Sequence, residues 1–114
     1  MIEYSTIHVN PTENQKINIQ TYLNDQINQE IELTPEAAGF ITQSMQTLLD
    51  YRTDPNGPSF AVSHDIKVEL LDYDDIRIEL QKETGTAELE IDSSNIDFVI
   101  KRISTILSEG SVQK

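Results

Sequence analysis

The chain has 114 residues, of which 20 are acidic and 8 are basic, for a net charge of −12, and it contains no cysteine. This length suits one domain spanning residues 1–114, and the lack of cysteine excludes disulfides, thiolate metal sites and a thiol nucleophile. The acidity argues against direct nucleic-acid binding, because neutralising phosphates requires clustered Lys and Arg side chains.

Three strands are predicted in the first third of the chain. Residues 2–9 are rich in β-forming side chains, and a turn is expected at residues 10–14. Apolar and polar side chains then alternate over residues 17–23, which is typical of a strand with one buried face. A third strand is predicted over residues 27–33, where Gln29 interrupts the apolar row.

The first helix is predicted to begin at Thr34. The Thr34 side chain can cap free backbone amides, Pro35 suits the first helical position, and Glu36 favours the positive end of the helix dipole. The sequence Asp-Pro-Asn-Gly-Pro at residues 54–58 predicts a loop after this helix. The apolar stripe of the helix consists of Ala38, Ile41, Met45, Leu48 and Leu49.

One long strand is predicted over residues 60–70, because apolar residues alternate there without a break. In this interpretation His64 belongs to the buried row. Strands at residues 76–80 and 87–91 follow, and then a second helix that begins at residues 92–94 and ends at Gly110. At the start of that helix, Ser94 and Asp97 have the spacing of a capping box.

The predicted fold class is therefore α+β, in the order βββα-βββα, with a mainly antiparallel sheet of about six strands and two helices packed on one face. The loop at residues 54–58 joins two half-units, residues 1–54 and 59–110. An offset of 58 residues aligns the apolar positions of the two helices, as in Met45 and Ile103. Two interpretations stay open, an internal pseudo-repeat and a chance match between two amphipathic helices.

Neither histidine predicts a catalytic site. Ser63, His64 and Asp65 are adjacent in a predicted strand, so His64 points to the face opposite both neighbours and no triad can form. His8 has no acid or nucleophile beside it in the sequence. The four glycines are isolated, so no phosphate-binding loop is predicted. We expect a protein that is not an enzyme and uses no cofactor.

The spacing of a calcium loop begins at Asp72, with Asp74 at the third position and Glu83 at the twelfth. Ile76 and Arg77 occupy the fifth and sixth positions, where such a loop needs a ligand and a glycine. The spacing is therefore interpreted as accidental, and no metal site is predicted.

The acidic residues are concentrated in one region, because residues 65–92 carry ten acids against three bases. Alternate residues of a strand lie about 6.6–6.8 Å apart, so Glu88, Glu90 and Asp92 would form an evenly spaced row of carboxylates. Such a row can imitate the phosphates of DNA and occupy a basic groove. The predicted partner-binding residues are Asp65, Glu69, Asp72, Asp74, Asp75, Glu79, Glu88, Glu90 and Asp92.

The leading hypothesis is a small protein-binding module that inhibits a protein partner with a basic surface, including nucleic-acid-binding proteins. Phage-encoded antagonists of host defence and immunity proteins share this charge and size, which is an analogy and not a sequence resemblance. The alternatives are an acidic dimeric chaperone for a secreted or assembled client, and a small-ligand domain with a pocket near His64. A further alternative is that the acidity only keeps the chain soluble.

Two more expectations concern location and assembly. The first residues lack a basic region followed by an apolar stretch, and no apolar run is long enough to span a membrane, so a cytoplasmic protein is expected. Residues 17–23 carry no charge, so a homodimer is expected either through an exposed edge of that strand or through an amide-rich sheet face.

Overall fold

Seven strands and two helices make up the part of the chain that the computed structural model describes, residues 5–13 and 15–112. The predicted α+β class is confirmed, and so is the order in which each half places its strands before a helix. Residues 2–4 of the predicted first strand lie outside the described residues. The elements are β1 (Ser5–Pro11), β2 (Ile17–Leu23), β3 (Gln26–Leu33), α1 (Pro35–Asp50), β4 (Phe60–Ser63), β5 (Ile66–Leu70), a single 3₁₀ turn (Asp72–Asp74), β6 (Ile76–Lys82), β7 (Gly85–Ile91) and α2 (Ser93–Val112).

The strands form two antiparallel sheets, in the orders β1-β2-β3 and β4-β5-β6-β7, instead of the single sheet of about six strands that the sequence predicts. The sheets meet where β3 lies beside β7. At this junction β3 contains one extra residue, Asn28, because its register with β2 shifts between Thr21 and Tyr22. Such a bulge bends a strand and interrupts its pairing. The Gln29 side chain, rather than a backbone ladder, accepts a hydrogen bond from a β7 amide at 2.8 Å.

β2 is the middle strand of its sheet, so the prediction of a homodimer through an edge of this strand is wrong. Residues from Ile17 to Leu23 pair with β1 on one side and with β3 on the other. Pairing with a second chain requires a strand whose backbone groups are unpaired along one side. The uncharged sequence of β2 is therefore typical of a central strand.

Residues 60–70 form a hairpin rather than the one long strand predicted. β4 and β5 pair around a two-residue turn at His64 and Asp65, and His64 has a left-handed backbone with φ 49°. A two-residue turn places Val62 opposite Lys67, so the apolar residues before the turn share a face with the polar residues after it. Phe60 and Val62 are therefore 54% and 57% exposed, although they continue the apolar alternation of β5.

Both helices pack on the inward side of the sheets and against each other. α1 begins as predicted, because the Thr34 hydroxyl accepts a hydrogen bond from the Ala37 amide at 3.2 Å. The capping box predicted for α2 does not form. Ser94 lies inside the helix, and its hydroxyl donates to the Asp92 carboxylate at 3.0 Å.

The inward side chains of both sheets and the apolar stripes of both helices form one hydrophobic core. α2 continues through Gly110, its predicted end, as far as Val112. Within residues 5–13 and 15–112, neither helix combines the length and the apolar character that crossing a membrane would require. The core residues are Val9, Ile17, Ile19, Ile31, Leu33, Ala38, Ile41, Met45, Leu48, Val68, Ile76, Ile78, Leu80, Leu89, Ile91, Ile96, Val99 and Ile103.

The buried positions repeat between the two halves of the chain. The offset is 59 residues between β1 and β5 and between β2 and β6, and 58 residues after Asn28, the extra residue of β3. This regularity favours the internal pseudo-repeat over a chance match. Each helix packs on strands of the other half: α1, from the first half, packs on β4 and β5, whereas α2, from the second half, packs on β1. The matching pairs are Val9 and Val68, Ile17 and Ile76, Ile19 and Ile78, Ile31 and Leu89, Leu33 and Ile91, Ile41 and Val99, and Met45 and Ile103.

Candidate protein-binding face

Six glutamates of the described strands project from the side of the sheets opposite the helices. They alternate along their strands with buried residues, so each points away from the core. Four of them, on β5, β6 and β7, belong to the predicted partner-binding set, whereas the two on β3 do not. We call these six residues the acidic sheet face: Glu30, Glu32, Glu69, Glu79, Glu88 and Glu90.

Arg77 lies at the centre of the second sheet and contacts three of these carboxylates. Its guanidinium is 3.4 Å from Glu69, 3.7 Å from Glu90 and 4.0 Å from Glu79. The β-sheet register explains this arrangement, because Arg77 pairs with Glu69 on one side and with Glu90 on the other. One cation shared among three partly exposed carboxylates leaves an excess of negative charge, and each such pair contributes about 0–1 kcal/mol.

Glu79 and Glu88 face each other directly on neighbouring strands. Like charges at such positions are destabilising. Lys67 is opposite Glu79 on the other side, but its ammonium lies over the Phe60 ring, 5.5 Å from the centroid. Within the described part of the chain, no cation lies within 4 Å of the Glu88 carboxylate. Arg77 lies 4.0 Å from Glu79, so the described residues neutralise one glutamate of this pair and leave Glu88 without a cation.

Glu30 is held in its ionised form by two side-chain amides. Its carboxylate accepts hydrogen bonds from Asn18 Nδ2 at 3.0 Å and from Gln20 Nε2 at 2.7 Å. These hydrogen bonds, Asn18 first, lower the pKa of Glu30 below its ordinary value. The amides that the sequence places on this sheet face therefore orient a carboxylate.

Glu30 and Glu32 are absent from the predicted partner-binding set. The exposed strand residues of the first half are predicted to be mostly amides and hydroxyls, but these two are acidic, and Glu32 forms an ion pair with Lys16 at 3.8 Å. The pattern that could have identified them is their alternation with Ile31 and Leu33, which are buried. The interruption at Gln29 hides that pattern, because the β-bulge lies immediately before it.

Two of the other predicted acids lie at opposite ends of the second sheet and not on the acidic sheet face. Asp65 is in the β4–β5 turn, where its carbonyl accepts a hydrogen bond from the Gln81 amide at 2.8 Å. Asp92 comes directly after the last residue of β7. The predicted row of three carboxylates therefore contains only Glu88 and Glu90 on the strand itself.

The remaining predicted acids, Asp72, Asp74 and Asp75, lie in the connection between β5 and β6. Asp74 forms an exposed ion pair with Arg52 at 3.6 Å. The Asp75 carboxylate accepts a hydrogen bond from the Ser93 amide at 3.0 Å, which satisfies a free amide at the start of α2. Asp75 thus has a structural role that the sequence analysis does not assign to it.

An open cleft of about 450 Å³ lies at the junction of β3 and β7. His64 does not line this cleft, because it is exposed in the β4–β5 turn. The prediction that His64 belongs to a buried row is wrong, and the small-ligand alternative loses the setting on which it depends. The polar residues along the cleft are Thr21, Asn28, Gln29, Asp75, Glu90, Asp92 and Asn95.

The acidic sheet face is a charged surface. Among residues 5–13 and 15–112, no three His, Asp or Glu side chains are grouped so that they could hold a metal ion. The carboxylates of the acidic sheet face are instead spread over four strands, β3, β5, β6 and β7. They can accept hydrogen bonds and ion pairs from several separate basic groups.

Neither the protein-family models nor the curated protein sequences that were compared with the chain gave a match. The acidic sheet face is therefore the feature of the chain that bears on function.

Proposed function

We propose that this chain is a non-enzymatic protein-binding module that inhibits a protein partner by binding its basic surface through the acidic sheet face. The observation that carries this proposal is that Glu79 and Glu88 face each other in register on an open sheet surface. Selection for stability alone would favour opposite charges at two such positions. A basic side chain of a partner would neutralise the pair, so binding is expected to remove a cost that the free protein bears.

The class of partner that fits best is a protein with a basic groove, as in nucleic-acid-binding proteins. Neighbouring strands are about 4.7–4.9 Å apart, and alternate residues along a strand are about 6.6–6.8 Å apart. The face therefore presents a two-dimensional array of negative charges on a rigid support. The net charge of −12 also raises the association rate with a basic partner. The proposal includes the cytoplasmic location expected from the sequence.

The experiment begins with capture of the partner from a lysate of the natural host, with elution in salt steps. The affinity of the captured protein is then measured by calorimetry for two variants, Glu88→Lys and Glu109→Lys. Both substitutions change the net charge equally, but Glu109 lies on α2, away from the acidic sheet face. We expect Glu88→Lys to weaken binding by more than about tenfold and Glu109→Lys to have a much smaller effect.

The same measurement distinguishes this proposal from its alternatives. Equal weakening by both variants would mean that only net charge matters, which contradicts a defined binding face. Unchanged affinity in Glu88→Lys would exclude the centre of the acidic sheet face as the binding site for the partner. A partner that stays bound at high salt would favour the chaperone alternative, because screening weakens contacts between surface charges.

A further inference from the structure

The two sheets have four edges, and in the described residues three of them have a hydrogen bond to another element. β3 and β7 face each other, where Gln29 accepts a hydrogen bond from the Glu90 amide. At the edge of β1, the Val9 carbonyl accepts a hydrogen bond from Arg102 Nε of α2 at 3.0 Å. No side chain or strand of the described residues covers β4 in this way. β4 is therefore the edge that is open to another chain.

The backbone groups that β4 leaves free are those of Phe60 and Val62. The Leu70 amide donates to the Ser59 carbonyl at 2.8 Å, which fixes the position of the hydrogen-bonded pairs in the hairpin. Bonded and non-bonded pairs alternate along antiparallel strands. Phe60 and Val62 therefore direct their N–H and C=O groups away from β5, towards solvent.

The side chains of this edge do not protect it. Phe60 and Val62 are both more than half exposed, and they lie on the same face of β4. Residues 55–63 contain no charged side chain, in a chain with 20 acids. Natural edge strands are protected by short length, Lys, Pro, a bulge or a covering segment, and β4 has the short length of four residues but no Lys, Pro or bulge within them. The combination of free backbone groups and exposed apolar side chains is typical of a pairing surface.

We propose that β4 pairs with β4 of a second copy of this chain, forming a continuous antiparallel sheet across a two-fold axis. The free groups of Phe60 in one copy then bond to those of Val62 in the other, and Ala61 faces Ala61. Each exposed Phe60 side chain covers an exposed Val62 side chain of the other copy. The same short strand thus supplies both halves of a self-complementary contact.

The charges next to β4 favour a second copy as the occupant. Lys67 is opposite Val62, and Glu69 is opposite Phe60, on the neighbouring strand β5. In the paired sheet, each row of side chains therefore runs from Lys67 of one copy to Glu69 of the other. The contact has balanced charge, although each copy carries −12. Glu69 is the member of the acidic sheet face that lies next to β4, and in the paired sheet three strand spacings, at least about 14 Å, separate it from Glu69 of the other copy. This distance exceeds the Debye length of about 8 Å at 0.15 M salt, so repulsion between the two acidic sheet faces is screened.

The test is sedimentation equilibrium of the full chain from about 1 to 500 µM in 0.15 M NaCl. We expect a monomer–dimer equilibrium whose dissociation constant rises by at least about tenfold in Val62→Lys. Ile27→Lys is the matched control, because Ile27 is also an exposed apolar strand residue, 52% exposed, but lies on β3. This control should leave the dissociation constant unchanged.

A second variant, Val62→Pro, tests the backbone contact without placing a charge at the edge. Proline removes an N–H that points to solvent, so the β5 ladder keeps its hydrogen bonds and the monomer still folds. Val62→Pro should therefore also be monomeric, with an unchanged circular dichroism spectrum. A monomer at every concentration, or a dimer that persists in both Val62 variants, would overturn the proposal. So would a dimer that dissociates only in Ile27→Lys.

Discussion

At Glu88, the position of a single charged side chain opposes the stability of the fold. Glu88 faces Glu79 in register, and Arg77 lies 4.0 Å from Glu79 but gives Glu88 no ion pair. A residue that breaks a local rule without a compensating contact is expected more often at functional sites than elsewhere. The proposed binding function supplies a reason for this placement, since the partner would provide the missing positive charge.

Replacing the charge at Glu88 should stabilise the free protein. Glu88→Gln keeps the size of the side chain and removes the repulsion from Glu79, so the free energy of unfolding should rise by about 0.2–1 kcal/mol. Urea denaturation at low ionic strength measures this change, and the gain should shrink in 1 M NaCl, where the Debye length is about 3 Å. Glu109→Gln is the control. Unchanged or lower stability in Glu88→Gln would contradict the argument.

Glu30 should contribute a pH dependence to stability. Its folded-state pKa is lowered, so its hydrogen bonds stabilise the fold above the unfolded-state pKa, and this contribution is lost as the pH falls through the folded-state pKa. Asn18→Ala removes the larger cause and should raise the pKa of Glu30 towards its ordinary value of 4.5. NMR titration of the Glu30 carboxyl measures this, with Asn10→Ala as control. A pKa unchanged by Asn18→Ala would show that Gln20 alone is sufficient.

At the level of elements, the hairpin of β4 and β5 shows that an unbroken alternation of apolar residues does not tell whether a strand continues or the chain turns back. Apolar residues alternate throughout residues 60–70, yet the chain reverses at His64 and Asp65. This turn lacks the Asn-Gly or Asp-Gly pair that usually marks a two-residue hairpin. His64 instead adopts a positive φ that most side chains avoid.

The hairpin predicts that valine at position 64 is destabilising. In a continuous strand, His64→Val would fit the apolar row and should increase stability. At φ 49° a β-branched side chain is strained, so we expect His64→Val to lower the free energy of unfolding by about 1–2 kcal/mol. Thermal and urea unfolding measure this, with His64→Asn as a control that tolerates the left-handed region. A stabilised His64→Val variant would be incompatible with the hairpin.

For the whole molecule, the packing of each helix against strands of the other half joins the two halves in one core. The apolar stripe of α1 packs on β4 and β5, and that of α2 reaches β1, so each half buries residues of the other. Leu48 and Ile103 are almost completely buried in this shared core. Neither half therefore has a complete core of its own.

Separation of the halves should abolish folding until they are mixed. Residues 1–54 and residues 59–114, produced as two chains, should each lack a cooperative thermal transition, because each exposes a helix stripe that the other half covers. An equimolar mixture should recover the circular dichroism spectrum of the intact chain. Cooperative unfolding of either fragment alone would show that the half-units fold independently.

Several local features of this protein are predictable from its sequence because they depend on neighbouring residues only. The Thr34 cap, the stripe of α1 and the alternation in β2 follow from helix and strand periodicity, and the structure contains each of them. The same alternation places Glu88 and Glu90 on the solvent side of β7. Fold class and the outward direction of these glutamates therefore needed no tertiary information.

The sequence by itself determined the α+β class, the two helices and the presence of an acidic, solvent-facing set of strand residues, since each depends on a local period. Only the tertiary structure decided that the sheets separate beside Asn28, that β2 is central and β4 is an edge, and that Glu79 faces Glu88. These features depend on register between strands and on packing between distant segments. Hydrophobic burial is non-directional, so an apolar pattern identifies a buried face without identifying the strand or helix that covers it.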